Sequence, residues 1–231
     1  EVAEDAGALS GQKSRVLDIG LASLIFCVAR KESGARGVAV ISSDAEGVEI
    51  SPKRFMDLHG HGSLVLNSVK NDAIDWLEGS DVEGGLARAI DQATAVLAAE
   101  MMGSAREALE QTVTYLGERE QFDVKLGTFQ ALQHRCAQMY CELELAESAV
   151  VAALTGLDKG ASNISALVSS AKALANDCFT LISGEAVQLH GGMGVTEEMD
   201  IGLFLKRSRV CNQLLGSSSY HRDRFASLQG F

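Results

Sequence analysis

The stretch LARAIDQATAVLAAEMMGSAREALEQTVTYL, Leu86 to Leu116, decides the fold class. Leu86, Ile90, Ala93, Leu97, Met101, Ala105, Ala108, Thr112 and Leu116 recur every three or four residues. That spacing places them on one stripe of a helix of about 35 residues, about 50 Å long. A second pattern runs from Gln130 to about Leu157, through Leu132, Cys136, Met139, Leu143, Ala146, Val150 and Leu154, and Gly160 closes it. A third, with Ser162 or Asn163 as its cap, carries Ile164, Leu167, Ala171, Leu174, Cys178, Leu181 and Ile182. Shorter helices are expected from about Ile201 to Leu214 and from about Ser217. Long helices joined by short links pack antiparallel as a bundle.

Upstream of Asp81 the period is different. Ala8–Val16, Leu24–Arg30, Gly37–Ser43, Val48–Pro52 and Ser63–Asn67 are short runs separated by turn residues, about ten residues apart. They predict an antiparallel sheet or a piece of barrel with open edges. The expected organisation is therefore α+β: a partial antiparallel β-barrel over residues 1–80, then a C-terminal α-helical bundle over 81–231. Trp76 reads as a packing residue where the two meet.

Composition narrows the function classes. Of 231 residues, 46% are apolar, enough to bury a core, yet no run approaches the roughly 20 apolar residues of a membrane helix. The net charge of −11 and the lack of a basic cluster argue against nucleic acid. Five cysteines without a CxxC pair fit reduced thiols in a cytoplasmic protein and give no zinc site. No signal-peptide pattern is visible, and the start at Glu1 rather than Met suggests a fragment or a processed form.

Two segments could carry chemistry. In Gly117-Glu-Arg-Glu-Gln-Phe-Asp-Val-Lys-Leu-Gly-Thr-Phe-Gln130, an arginine at a helix end precedes an aromatic and a glycine turn. Such a set can fork onto a phosphate and stack on a flat ring; it also fits a capped helix end with a solvated arginine. In Gln188-Leu-His-Gly-Gly-Met-Gly194 three glycines could let a phosphate approach the backbone, or simply make a tight turn between helices. The histidines form no set by order: His59 and His61 lie in a turn, His134 and His221 on polar helix faces, and His190 at the glycine loop.

Together, in this order and after a barrel piece, the two segments resemble the acyl-CoA dehydrogenase family. The matching residues are Arg119-Glu-Gln-Phe122 with Gly127 and Gln130, and Gln188-Leu-His-Gly-Gly-Met-Gly194. Leu9–Lys13, Gly47–Ile50 and Leu64–Leu66 resemble strands of its β domain. The resemblance spans nearly the whole chain and corresponds to the back two-thirds of a typical member, with the N-terminal helical domain absent. It implies an FAD cofactor, an acyl-CoA substrate, a homo- or hetero-oligomer (dimer or tetramer) and electron-transfer flavoprotein as acceptor. It implies that Arg119, beside Gln121, holds the FAD pyrophosphate of a neighbouring subunit. Phe122 and Gln130 would meet the adenine or ribose end, and Gln188 with the backbone of Gly191 and Gly192 the partner's FAD. Ser217 stands where the family has a threonine that bonds an FAD phosphate. The chain also departs from the pattern. Arg15-Val-Leu17 replaces the Trp-Ile-Thr that touches the flavin ring, and the Thr-Glu-Pro-Gly-type segment is missing.

The family's reaction needs a carboxylate over the α carbon of the thioester, to take a proton while hydride leaves the β carbon for the flavin. The usual glutamate falls at Leu215. The alternative position of some members falls near Ala93, with Asp91 the nearest acid, otherwise a solvated aspartate near Arg88. Two readings follow. The chain is a subunit that lends FAD contacts to a catalytic partner, as in heteromeric members that act on bulky esters including steroid side chains. Alternatively it is a homomeric enzyme with a relocated base, or a related flavin monooxygenase.

Overall fold

The computed structural model describes residues 1–77 and 81–231. The chain divides into two compact units, Glu1–Arg88 and Ala89–Phe231. The domain boundary expected at residue 80 falls on 78–80, outside the described residues.

The first unit is one sheet of seven strands: β1 (Val2–Asp5), β2 (Ala8–Leu17), β3 (Leu24–Arg30), β4 (Arg36–Ser42), β5 (Val48–Arg54), β6 (Gly60–Lys70) and β7 (Ile74–Trp76). Their spatial order is β5-β6-β2-β1-β3-β4-β7. All pairs are antiparallel except β1 with β3, parallel at Ala3↔Arg30. The expectation of a wholly antiparallel sheet is thus corrected. β1 has four residues, too few to show a period in sequence, and it wedges between β2 and β3. The sheet is open, ending at β5 and β7. Pro52 sits on the edge strand β5, where its missing N–H costs no ladder bond on the free side. Alternation along β3 buries Ile25, Cys27 and Ala29, which join Leu9, Ile41, Leu64, Leu66 and Val69 in the core. Trp76 packs on that core with the Lys31 ammonium over its ring at 4.7 Å. His61 is not in a turn: it lies in β6 and stacks on Phe55 at 3.9 Å.

The bundle consists of α1 (Val82–Glu118), α2 (Gln130–Asp158), α3 (Ile164–His190), α4 (Ile201–Cys211) and α5 (Ser218–Leu228). α3 is buried on nearly all sides and packs against α2, α4 and α5. A helix so enclosed should be apolar all round, and Ala171, Ala175, Phe179, Ile182 and Ala186 meet that demand. Small residues on α1, such as Ala98, Ala105 and Ala108, are fully buried in the same core. Polar links add register: Arg106 of α1 reaches Glu144 and Glu147 of α2, and Arg207 of α4 reaches Glu100 of α1. These exposed or half-exposed pairs contribute at most about 1 kcal/mol each, so apolar packing dominates.

The predicted stripe of α1 holds from Leu97 to Leu116 and fails before it. Ile90 and Ala93 are exposed, and Asp91, Thr94 and Ala95 take the buried face. Thr94 is accommodated because its hydroxyl donates to the Ile90 carbonyl. Among the described residues no helix is long and apolar enough to cross a membrane.

Phe179 is the largest apolar side chain fully enclosed in the bundle core. Phe179→Ala should lower the unfolding free energy of the bundle by about 3–5 kcal/mol, the range for an unrelaxed aromatic cavity. A denaturant titration checks this, and a loss under about 1 kcal/mol would contradict the packing described.

Candidate functional site

The chemistry-bearing residues gather at two separate places on the bundle. The first is built where α1 ends. The Tyr115 ring stacks on His190 at 4.2 Å, and its hydroxyl donates to the His190 carbonyl at 3.4 Å. This contact fastens the end of α1 to the start of the glycine loop, so the two motifs, far apart in sequence, share one end of the bundle. Arg119 stands one turn beyond Tyr115, exposed, and makes no side-chain hydrogen bond or ion pair among the described residues.

The segment after Arg119 is a hairpin rather than a simple glycine turn: β8 (Glu120–Gln121) pairs with β9 (Val124–Lys125). Its two-residue loop, Phe122-Asp123, has φ of 58° and 63°. Both central residues are left-handed, as a type I′ turn demands, although asparagine and glycine are the residues that adopt it cheaply. Phe122 therefore holds a costly conformation while 84% exposed, in an edge-to-face contact with the Phe129 ring at 6.3 Å. Gln121 donates to the Glu120 carbonyl, and Gln130 is the first residue of α2; both side chains are exposed.

The glycine loop continues α3 as a tight 3-10 turn, Gly191–Val195. Gly191 needs glycine for its φ of 60°, and Gly194 because a Cβ would lie 2.6 Å from the Val187 carbonyl oxygen. Gly192 has neither reason: its φ is ordinary and an added Cβ would meet nothing within 4 Å. Gln188 beside it is exposed. His190 is buried; its Nδ1 donates to the Ala186 carbonyl at 2.8 Å, and Nε2 has no partner among the described residues.

The second place is the turn between α4 and α5. Leu215 has φ 56° and Gly216 φ 114°. A left-handed leucine costs about 1–2 kcal/mol. Glycine is obligatory at 216, since a Cβ would come within 2.5 Å of the Tyr220 ring. Ser217 caps α5, its hydroxyl accepting from the Tyr220 amide at 3.3 Å and sharing a bond with Ser219 at 3.0 Å. Beneath the turn lies Lys172, fully buried on α3. Its ammonium donates to Asn176 Oδ1 at 2.6 Å, the Cys211 carbonyl at 3.0 Å and the Gly216 carbonyl at 3.3 Å. Asn176 Nδ2 also donates to the Gly216 carbonyl, and His221 Nε2 to that of Leu215. Burial lowers the Lys172 pKa to about 8 and pushes that of His221 below its ordinary value.

Two expectations are corrected here. His221 is not on a polar face; it is buried under the turn. Asp91 is not solvated near Arg88, which pairs with Asp81 instead. It is 3% exposed, accepting from Arg224 Nη1 at 2.7 Å and Ser165 Oγ at 2.6 Å. Both its oxygens are thereby engaged in tying α1 to α5 and α3. In the sheet unit, Arg15 sits at an irregularity of β2 with φ 56°, and Leu17 is exposed.

Tyr115, Lys172 and Asn176 belong to no motif. The signal available for the last two is a lysine and an asparagine four residues apart on an otherwise apolar helix, Ala171-Lys-Ala-Leu-Ala-Asn176. Among the described residues no group of three or more His, Cys, Asp or Glu could hold a metal.

A family model described as the acyl-CoA dehydrogenase C-terminal domain matches residues 86–228. Acyl-CoA dehydrogenase IpdE2 of Mycolicibacterium smegmatis is 38% identical over 126 residues, 54% of this chain and 39% of that protein. Among solved structures, a variant of the Tcur3481–Tcur3483 steroid ACAD superposes with TM-score 0.85 at 29% identity, covering 99% of this chain and 61% of that one. The ChsE4–ChsE5 complex from Mycobacterium tuberculosis gives 0.89 at 24% identity, covering 100% and 63%, a likeness of fold. The chain thus spans about two fifths of that curated relative and about three fifths of each of these structures' chains.

The buried lysine makes stability depend on pH. The folded chain releases the Lys172 proton at about 8, the unfolded chain at 10.5. Between these values the unfolded state binds more protons, so this group makes the unfolding free energy rise with pH. From about pH 7.5 to about pH 9.5 the wild type should gain about 2 kcal/mol relative to Lys172→Met. Paired denaturant titrations measure this, and a pH-independent difference would contradict it.

Proposed function

The chain belongs to the acyl-CoA dehydrogenase family, and from that premise we propose that it is a base-lacking subunit that lends FAD contacts to a catalytic partner of the same family. The observation that carries the reading is Leu215: an alkyl side chain stands where the family places its proton-abstracting carboxylate, and leucine accepts no proton. Asp91 is a poor substitute, since Arg224 and Ser165 already occupy its two oxygens in the bundle interior. The relocated-base reading therefore lacks a free carboxylate at that position.

The residues at the end of α1 suit the cofactor role. An uncommitted guanidinium at Arg119 can fork onto a pyrophosphate. Phe122, exposed on a strained turn that packing in this chain does not explain, offers a face for a flat ring such as adenine. Gly192, free of any steric or torsional need for glycine here, leaves room for a group to approach the backbone. Gln188 and Gln130 add amide donors and acceptors beside them, and Gln121 stands next to the arginine. Ser217 serves FAD from the other place: its oxygen accepts from the Tyr220 amide, and with Ser219 as the donor of the bond they share, its hydrogen is available to a phosphate. When bound, FAD supplies the acceptor for hydride from the β carbon of the acyl group. A carboxylate of the partner chain would take the proton from the α carbon, and electron-transfer flavoprotein would be the acceptor of the assembly.

Lys172 and Gln188 are sixteen residues apart on α3, so the Ser217 turn and the glycine loop are separated by roughly 24 Å along the helix. Each place can therefore contribute to a different FAD, or to different ends of the assembly, which accords with contacts shared across a subunit boundary. A bulky, steroid-like acyl-CoA is the substrate class we propose for the assembly. Support for that class is the steroid enzyme's likeness over nearly all of this chain.

The test is to purify the chain alone and with a same-family partner, then measure bound FAD and bleaching by acyl-CoA. The chain alone should hold little flavin and bleach negligibly, and the pair should do both. Full occupancy and rapid bleaching of the lone chain would overturn the subunit reading, and oxygen-dependent product would point to the monooxygenase. In the pair, Arg119→Ala should weaken FAD retention about tenfold or more, the effect of one lost charge-assisted pair. Unchanged flavin content would remove Arg119 from the site.

A further inference from the structure

Three carbonyls of the α4–α5 connection, those of Cys211, Leu215 and Gly216, are each gripped by a side chain from beneath: Lys172 and Asn176 on α3, and His221 on α5. Lys172 is fully buried, its three ammonium hydrogens matched by three acceptors, none of them a carboxylate. Burying a cation without an anion is expensive, and an alkyl side chain of the same length would fill the volume at lower cost. What an alkyl group cannot do is hold two carbonyls of a turn whose backbone is left-handed at consecutive residues, Leu215 and Gly216. We propose that Lys172, with Asn176 and His221, is a positioning clamp that fixes the Leu215–Ser217 turn so that the Ser217 hydroxyl and the first turn of α5 are presented to an FAD phosphate. The proposal rests on the reading of Ser217 as a cofactor contact.

The arrangement has the parts such a clamp needs. Lys172 and Asn176, one helical turn apart, converge on one oxygen, that of Gly216, immediately before Ser217. Gly216 leaves no space for slippage, since an added Cβ would strike both Tyr220 and His221. Arg224, bonded to Asp91 and Ser169, anchors the next turn of α5 to α1 and α3, so the helix that Ser217 caps is fixed along its length. Ser217 itself is partly exposed. Lys172 itself lies beneath the turn and acts only through it.

The experiment compares wild type, Lys172→Met and Ser217→Ala. Amide hydrogen exchange and the melting midpoint are read on the cofactor-free chain, and FAD affinity on the partner complex. For Lys172→Met, exchange at Tyr220 and His221, whose amides donate to Ser217, should accelerate about tenfold or more while the rest of α3 and the sheet keep their rates. The midpoint should move by only a few degrees, because the burial cost of the cation is removed together with its bonds. FAD affinity should fall about tenfold. A general structural role would instead lower the midpoint and loosen exchange throughout the bundle. Unchanged exchange at the turn would overturn the clamp. Faster exchange with unchanged FAD affinity would overturn its service to the cofactor. Unchanged FAD affinity in Ser217→Ala would refute the reading of Ser217 itself, and the exchange data on Lys172→Met would still decide whether the turn is clamped. If Lys172→Met does not fold, Asn176→Ala, which removes one of the two grips on Gly216, is read by the same measurements.

Discussion

A single buried ammonium organises the helical half of this protein. Lys172 stands on the most enclosed helix of the bundle, where only apolar groups are cheap, and it is tolerated because all three of its hydrogens find acceptors. Two of those acceptors are main-chain carbonyls, that of Cys211 at the end of α4, which also accepts from the Leu214 amide, and that of Gly216 just before α5. Satisfying those carbonyls lets the chain reverse in a few residues and start α5 at Ser217. The placement of α5 in turn sets Arg224 against Asp91 and closes the bundle over α1.

This explains why some of the fold was legible in the sequence and some was not. Long helices declare themselves through period, and the stripe of α2 is buried or half-buried along its length, whereas the stripe read on α3 fails at the exposed Leu174 because that helix is enclosed on nearly all sides and no single face stands out. α1 is legible from Leu97 onward, where burial is apolar. It is misread before that, because Asp91 and Thr94 face inward and a rule that equates burial with hydrophobicity assigns them outward. The burial of Asp91 depends on Arg224, more than a hundred residues later, and no local pattern carries that information. The sheet was legible strand by strand but not in its pairing. β1 and β7 are too short to show alternation, and the parallel contact of β1 with β3 is a matter of topology.

The candidate site divides the same way. Arg119 and the glycine loop could be named from composition and order. That they share one end of the bundle could not, since the link is the stack of Tyr115 on His190, two residues with no motif between them. The hairpin at Phe122-Asp123 was hidden for a different reason. Phenylalanine does not favour left-handed torsions, so turn chemistry pointed elsewhere, and only the structure places it at an exposed, strained tip. Where local preference and observed conformation disagree at an exposed aromatic, function outside the chain's own packing is the economical explanation.

Leu215 sharpens this argument. If the turn between α4 and α5 existed only to hold a proton-abstracting carboxylate, a chain without that carboxylate would have no reason to keep its cost. Yet leucine occupies a left-handed conformation there, glycine follows at a position that admits nothing larger, and three side chains hold the carbonyls around it. A relaxed loop would spare the strain at Leu215 and the burial of a lysine charge. The geometry must therefore serve something other than residue 215, and the first group beyond the turn with chemistry to offer is the Ser217 hydroxyl at the start of α5. On the function proposed above, proton abstraction and cofactor contact are separable duties of one turn, and this chain would retain the second without the first.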